Sequence, residues 1–134
     1  VPSYHLPTQQ ARAALPKSVP LADAVFNLGR TALVVEAVRR GDYSLLAEAL
    51  DDRLHQPYRL PLIPGAAQAL QAAAEAGAAA AGLSGAGPSL IAFCAGDAQA
   101  VSQAMCAALR QAGLECEAFV LRTTSQAASV RVGA

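Results

Sequence analysis

The segment AAAAGLSGAGPSLIAFCAGD, residues 78–97, decides the fold of this chain. It holds two apolar runs, Ala78 to Leu83 and Ser89 to Ala95, joined by the link SGAGP. Short apolar runs bounded by glycine and proline predict two β-strands around a turn. Asp97 follows at once and is suited to cap the N-terminus of a helix. The segment therefore predicts a strand, a turn, a second strand and the start of a helix.

Helices are predicted directly after and directly before this segment. After Asp97 the helix runs to a glycine stop at Gly113, because an apolar stripe keeps helical spacing over Val101, Ala104, Met105, Ala108, Leu109 and Ala112. Before the segment, Gln68 to Ala76 predicts an alanine-rich helix that ends at Gly77.

A helical hairpin is predicted nearer the start of the chain. Its first helix begins at Leu21 and ends at Gly41, since apolar residues recur at helical spacing at Val25, Leu28, Ala32 and Val35. Asp42 then caps a second helix, in which Leu46 and Leu50 lie one turn apart.

Two more strands are predicted after Gly113. In the first, Cys116, Ala118 and Val120 alternate with glutamates, and in the second the apolar residues are Ala128, Val130 and Val132. From Gln68 onward the order is helix, strand, strand, helix, strand, strand. This order predicts an α+β fold, a ferredoxin-like two-layer sandwich with helices packed on one face of a mostly antiparallel sheet.

The 134 residues are predicted to form a single domain. Residues 1–20 contain four prolines and predict a connector with one helical turn near its middle. Residues 21–53 are predicted to form the helical hairpin, and residues 66–134 are predicted to form the core of the sandwich. The stretch between them, LHQPYRLPLIPG at 54–65, contains three prolines and is predicted to be an irregular loop.

The composition excludes several classes of function. Ten basic residues balance ten acidic ones, so no strong field would gather nucleic acid or an anionic membrane surface. The longest small-residue tract, 72–81, is too short to span a bilayer and contains Glu75. We therefore expect neither a nucleic acid nor a membrane as a partner.

The cysteines and histidines indicate no metal site. Cys94, Cys106 and Cys116 lie in apolar stretches without the paired spacing of zinc or redox motifs, and we predict buried thiols of a reducing cytoplasm. His5 and His55 lie far apart in the sequence, and no carboxylate or cysteine is spaced to form a catalytic triad with His55. We assign no metal ligand.

The glycine-rich link allows two interpretations. Glycines can bring backbone N–H groups close to a phosphate or a carboxylate, or they can serve only the geometry of a tight turn. The complete nucleotide-binding motifs GxxxxGK[ST] and GxGxxG between strand and helix are missing from the sequence.

Two arginines are candidates for binding an anionic ligand. Arg12 and Arg59 lie in proline-marked segments, and a planar guanidinium matches the two oxygens of a carboxylate. The competing interpretation is that each is a solvated or salt-bridged surface arginine.

Together these motifs resemble the C-terminal half of the homoserine kinase family. The matching segments are TQQAR at 8–12, DAVFNL at 23–28, DRLHQPYR at 52–59, IPG at 63–65 and GLSGAGPS at 82–89. GLSGAGPS is similar to the third signature of the wider GHMP kinase superfamily, whereas TQQAR and DRLHQPYR are more specific to the homoserine branch.

The resemblance implies an activity and a set of site residues. The activity is transfer of the ATP γ-phosphate to the hydroxyl of L-homoserine, giving O-phospho-L-homoserine for threonine biosynthesis. The implied substrate-binding residues are Thr8, Arg12, Arg59 and Gly85, with both arginines on the substrate carboxylate. The implied glycine-rich loop near the active site comprises Ser84, Gly85, Ala86, Gly87 and Ser89. No catalytic residue and no metal ligand is assigned in this half.

The resemblance also implies what surrounds the chain. ATP and Mg²⁺ would be bound mainly by an N-terminal kinase domain, whose ATP loop is not among these residues, and this half alone is expected to be inactive. The implied partners are L-homoserine, ATP and that N-terminal domain, and the implied location is the cytoplasm. A homodimer is a further possible partner arrangement. The competing hypothesis is a non-catalytic amino-acid-binding regulatory module, since small ferredoxin-like domains serve that role as well.

Overall fold

A computed structural model describes residues 1–123 and contains helices together with an antiparallel sheet, which confirms the predicted α+β class. In the described part, the helices are α1 (Thr8–Ala13), α2 (Leu21–Arg40), α3 (Tyr43–Ala49), α4 (Gln56–Arg59), α5 (Ala66–Glu75) and α6 (Ala98–Gln111), and the strands are β1 (Ala80–Leu83) and β2 (Leu90–Phe93). A 3₁₀ turn covers Leu60–Leu62.

The predicted β-hairpin is confirmed. β1 and β2 pair antiparallel, with Ala80 opposite Phe93 and Leu83 opposite Leu90. The link between them is closed by a hydrogen bond from the backbone N–H of Ser84 to the carbonyl of Ser89, at 2.9 Å.

The helices of the predicted helical hairpin, and those before and after the β-hairpin, also form. α2 ends at Gly41, which has the positive φ of 65° that glycine tolerates best. The Asp42 carboxylate accepts a hydrogen bond from the Leu45 N–H at 2.9 Å and caps α3. The Asp97 carboxylate accepts from two N–H groups in the first turn of α6. α2 packs on α3, and α5 packs on α6 and on the hairpin.

Small side chains let α5 and α6 approach closely. Ala66, Ala69 and Ala73 of α5 are fully buried. At the start of α5, a Cβ placed on Gly65 would lie 2.6 Å from the Cβ of Ala112, so only glycine fits there. The alanine-rich composition of this helix is thus explained by the packing of two helices.

The prediction of an irregular loop over residues 54–65 is wrong, because this stretch forms α4 and the 3₁₀ turn. Pro57 and Pro61 each occupy one of the first two positions of their turn. A backbone N–H has no helical partner there, so proline costs little at these positions.

The prediction of a strand over residues 115–120 is also wrong. Within the described residues, the segment forms only a single bridge between Cys116 and Pro2. Its neighbouring hydrogen bonds run from the Ser3 N–H to the Glu115 carbonyl and from the Glu117 N–H to the Val1 carbonyl, at 2.7 and 2.9 Å. The alternating pattern therefore pairs with the start of the chain and not with the hairpin. The strand predicted over Ala128, Val130 and Val132 lies outside the described residues.

The prediction that all three cysteines are free thiols is wrong as well. Cys106 of α6 and Cys116 form a disulfide across ten positions of sequence, whereas Cys94 is a free thiol. The ten-residue spacing of Cys106 and Cys116 gives no signal of this pairing in the sequence. The two residues meet because the segment 112–116 folds back along α6.

None of the described helices has both the length and the hydropathy that are needed to cross a membrane.

Candidate functional site

Three segments that carry predicted site residues meet around one small apolar cluster. Its buried members come from the segment before α1, from α1 itself, from the residue after the 3₁₀ turn and from the start of α5: Leu6, Ala11, Ile63 and Ala66. Ala86 of the glycine-rich loop and Leu60 of the 3₁₀ turn pack against them. The cluster therefore holds α1, the end of α4 and the glycine-rich loop next to one another.

Arg59 is the buried cation of this cluster. Its residue is 8% exposed, and its Nε donates a hydrogen bond to the carbonyl oxygen of Ala11 at 3.0 Å. Arg59 is therefore not a solvated surface arginine. The bond ties α4 to α1 at the residue directly before Arg12.

Thr8 and Arg12 lie on the exposed side of α1. The packing that buries Ala11 leaves these two side chains open to solvent. The structure thus brings the segments of Thr8, Arg12, Arg59 and the loop together, with Arg59 inside and the other two at the surface.

The glycine-rich loop has a packed side and an open side. Gly87, with a φ of +80°, lies so close to its neighbours that an added Cβ would be 2.8 Å from the Ile63 Cδ1. Gly85, with a φ of +62°, has nothing within 4 Å of the position of an added Cβ. Ser84 and Gly85 are exposed, whereas Ala86, Gly87 and Ser89 are partly buried. The two interpretations of this loop therefore divide between two glycines, since Gly87 is required by packing and Gly85 leaves room for a ligand.

Asp52 organises the backbone that leads into α4. Its carboxylate accepts hydrogen bonds from the N–H groups of Leu54 and His55, at 3.0 and 2.9 Å, and from the N–H of Gln56. Burial raises the pKa of this carboxyl, but these bonds together with one from Asn27 outweigh it and hold the pKa below the usual value. Asp52 is therefore an ionised carboxylate that holds the turn before α4, whose N-cap residue is His55.

Asn27 connects α2 to the same turn. Its amide nitrogen donates to the Asp52 carboxylate, and its amide oxygen accepts from the Arg53 N–H at 3.0 Å. The Arg53 guanidinium also lies over the ring of Phe26, 3.8 Å from the centroid, and 3.2 Å from the Asp23 carboxylate. The segments 23–28 and 52–59 are thus one interlocked unit.

Gln56 joins this unit to the hairpin. Its side-chain oxygen accepts from the Leu83 N–H at 2.8 Å, and its nitrogen donates to the Leu50 carbonyl at 3.2 Å. The side chain crosses Gly82, where an added Cβ would lie 2.8 Å from the Gln56 Oε1. The sequence predicts no functional role for Asn27, Asp52 or Gln56, although all three lie in the segments 23–28 and 52–59 that carry the family resemblance. A polar side chain at or shortly before the start of α4 is the available signal for Asp52 and Gln56, whereas Asn27 lies inside α2 and offers none.

Two open grooves of 240 and 330 Å³ flank the Asp52 to Gln56 turn, and neither is lined by Thr8, Arg12 or Gly85. These two grooves are therefore separate from the exposed residues Thr8, Arg12 and Gly85. Of the predicted substrate residues, Thr8, Arg12 and Gly85 are exposed, whereas Arg59 is buried. His55 lines the first groove, with its Nδ1 3.8 Å from the Asp52 carboxylate.

The described residues form no cluster of potential metal ligands, and the glycine-rich loop is uncharged. Within residues 1–123, no group of three or more His, Cys, Asp or Glu side chains could hold a metal ion. The loop from Ser84 to Ser89 contains no charged side chain that could neutralise phosphates.

Comparison with known proteins assigns the chain to a family. The sequence profile described as "GHMP kinases C terminal" matches residues 34–111. The homoserine kinase of Moorella thermoacetica is 50% identical over 116 residues, which is 87% of this chain and 39% of that protein. That of Gloeobacter violaceus is 55% identical over 117 residues, again 87% of this chain and 39% of that protein.

A solved structure agrees with these relatives. The crystal structure of homoserine kinase from Cytophaga hutchinsonii superposes with a TM-score of 0.79 at 33% identity. The match covers 84% of this chain and 36% of that chain. The chain therefore spans about two fifths of the length of the curated relatives that it matches.

Proposed function

We propose that this chain, which belongs to the GHMP kinase C-terminal family, is the substrate-binding part of a homoserine kinase. Such an enzyme transfers the γ-phosphate of ATP to the side-chain hydroxyl of L-homoserine. The observation that carries the proposal is the convergence of α1, the end of α4 and the glycine-rich loop on one apolar cluster, joined by the bond from Arg59 to Ala11.

In this proposal Arg12 and Arg59 bind the carboxylate of homoserine. A guanidinium has five N–H donors, so the bond from the Arg59 Nε to Ala11 leaves others for a ligand and also fixes the orientation of the planar group. Arg12, which is exposed one residue further along α1, supplies the second cation. Thr8 offers a hydroxyl on the same helix, and Gly85 lets the substrate approach the backbone.

The remaining parts of the reaction are assigned to a separate N-terminal kinase domain. In this proposal ATP supplies the phosphoryl group, and both ATP and Mg²⁺ are held mainly in that domain. We place the activity in threonine biosynthesis and in the cytoplasm. Phosphoryl transfer depends on positioning and on neutralising charge over the phosphates, so this chain alone is expected to bind substrate weakly and to catalyse nothing.

A chimera tests this proposal. The stretch of the Moorella thermoacetica homoserine kinase that matches this chain is replaced by the chain itself, and ADP release is measured with and without homoserine. We expect homoserine-dependent turnover by the chimera and none by the chain alone. The matched control is the same chimera with Arg12→Ala, which should fold and lose most of its turnover at low homoserine.

Two results would overturn the proposal. One is a chimera that unfolds cooperatively and binds an ATP analogue but shows no homoserine-dependent turnover. The other is homoserine-dependent ADP release by the 134-residue chain alone. Tight homoserine binding by the chain together with an inactive chimera would favour the amino-acid-binding regulatory module.

A further inference from the structure

Gln56 is the first residue of α4, and backbone groups hold its side chain at both ends of the amide. The amide oxygen accepts from the Leu83 N–H at 2.8 Å, and the amide nitrogen donates to the Leu50 carbonyl at 3.2 Å. The backbone N–H of Gln56 donates to the Asp52 carboxylate. Gly82 leaves room for this arrangement, since an added Cβ would lie 2.8 Å from the amide oxygen. The Gln56 amide is thus fixed in position and in orientation.

The stretch from Gln56 to Ile63 holds the glycine-rich loop at two points. Leu83 is the last residue of β1 and directly precedes the loop, so its bond to Gln56 fixes where the loop begins. Ile63 fixes the packed side of the loop, because its Cδ1 lies 2.8 Å from the position of an added Cβ on Gly87. Gly85, the open residue of the loop, lies between these two contacts in the sequence.

The same stretch carries Arg59. Gln56 and Arg59 are three residues apart in α4, so the two side chains start from the same side of a single helical turn. Pro57 lies between them and has a fixed φ, which leaves this turn little freedom to bend. The Arg59 Nε is in turn bonded to the Ala11 carbonyl at 3.0 Å. The bond between Gln56 and Leu83 is therefore the direct polar connection between the turn that carries Arg59 and the loop that carries Gly85.

We propose that Gln56 is a positioning residue that sets the distance between Arg59 and the glycine-rich loop. This inference rests on the proposed function, in which Arg59 binds the homoserine carboxylate and the substrate approaches Gly85. Gln56 acts through these two elements and is assigned no contact with homoserine or ATP. A substrate displaced by about 1 Å can react roughly 100-fold more slowly, so a small shift between the two elements has a measurable effect.

Two substitutions separate the bond to Leu83 from the rest of the Gln56 side chain. Gln56→Met keeps the length of the side chain but removes the hydrogen bonds to both Leu83 and Leu50. Gln56→Glu keeps an oxygen that accepts from the Leu83 N–H, whereas its second oxygen faces the Leu50 carbonyl, which cannot donate. Both variants lose the Leu50 bond and should lose stability, but only Gln56→Met loses the connection to the loop.

Steady-state kinetics of the chimera test the proposal. Gln56→Met should raise KM for homoserine roughly tenfold and leave KM for ATP unchanged, because ATP is assigned to the N-terminal domain. Gln56→Glu should restore KM for homoserine to near the wild-type value, although its Tm is lowered. The matched control is Asp42→Ala, which removes the cap of α3 and lowers Tm without touching the loop. Its KM for homoserine should stay unchanged.

Hydrogen exchange in the 134-residue chain, measured by NMR, is a second readout that needs no activity. The N–H groups of Ser84 and Gly87 donate to the carbonyls of Ser89 and Ser84, at 2.9 and 3.2 Å, and report on the order of the loop. Both groups should exchange roughly tenfold faster in Gln56→Met than in Gln56→Glu or the wild type. The exchange of α6 N–H groups corrects each variant for global unfolding.

Circular dichroism verifies that each variant folds, and Gln56→Ala replaces Gln56→Met if that variant does not. The positioning role is refuted if Gln56→Met keeps the wild-type KM for homoserine, or if Gln56→Glu raises this KM as much as Gln56→Met does. Unchanged exchange in the loop of Gln56→Met refutes it as well. A wild-type chimera without homoserine-dependent turnover refutes the proposed function instead, and the exchange rates then still decide whether Gln56 orders the loop.

Discussion

The two glycines of the loop should respond very differently to the same substitution. Gly87→Ala adds a methyl group where the Ile63 Cδ1 is 2.8 Å away, on a backbone with a φ of +80°. The backbone strain costs about 1 kcal/mol and the overpacking about 1–3 kcal/mol, so the free energy of unfolding should fall by about 2–4 kcal/mol. Gly85→Ala meets open space at a φ of +62° and should cost only the backbone strain, about 1 kcal/mol.

Urea unfolding of the chain, followed by far-UV circular dichroism, measures this difference. Gly96→Ala is the matched control, because Gly96 has neither a positive φ nor an atom within 4 Å of an added Cβ, and its stability should change little. Equal losses for Gly85→Ala and Gly87→Ala would refute the division of the loop into a packed and an open side. In the chimera, Gly85→Val should instead lower turnover with a modest change in Tm.

Three further outcomes are expected. In the chimera, Arg12→Ala should lower kcat/KM for homoserine roughly tenfold to 100-fold and abolish the preference for the free acid over its methyl ester, with unchanged stability. Arg59→Ala should have the same effects and also destabilise the fold, because it removes a buried hydrogen bond. An intact preference for the free acid in both variants would contradict the carboxylate role. Asp52→Ala should lower stability by about 1–2 kcal/mol at pH 7. Because the pKa of Asp52 is lowered by folding, the stability that the wild-type carboxylate adds is present above its unfolded pKa and is lost as pH falls through the folded pKa. The gap between wild type and Asp52→Ala, measured by urea unfolding, should therefore close on acidification, and a constant gap would show that the charge is irrelevant. Reduction of the Cys106–Cys116 bond should lower the free energy of unfolding by up to roughly 3 kcal/mol, as closure of a short loop predicts. The control is a Cys106→Ala, Cys116→Ala chain, whose stability should not depend on reductant. Unchanged wild-type stability in reductant would contradict this prediction.

The local signals in the sequence predicted most of the elements. Asp42 and Asp97 cap the helices that their positions indicated, and Gly41 ends α2. These effects depend on a few neighbouring residues, so spacing and residue type reveal them. The same holds for the turn between β1 and β2.

Long-range pairings could not be predicted in this way. The alternation around Cys116 indicated a strand but not its partner, which is the start of the chain. The apolar spacing of Val25 and Leu28 indicated a helix but not that their side would be exposed. In the candidate site, the type of Arg59 suggested a ligand, whereas its burial against Ala11 depends on the meeting of segments 48 residues apart.

The Gln56 side chain has a consequence for how the protein avoids aggregation. Within residues 1–123, the outer edge of β1 pairs with no further strand, and such an edge invites another strand to add. By accepting from the Leu83 N–H and lying across Gly82, Gln56 occupies the outer edge of β1 at the end nearest the loop. A larger residue at position 82 would displace this amide and expose the Leu83 N–H. The hairpin is thereby closed to strand addition at this point.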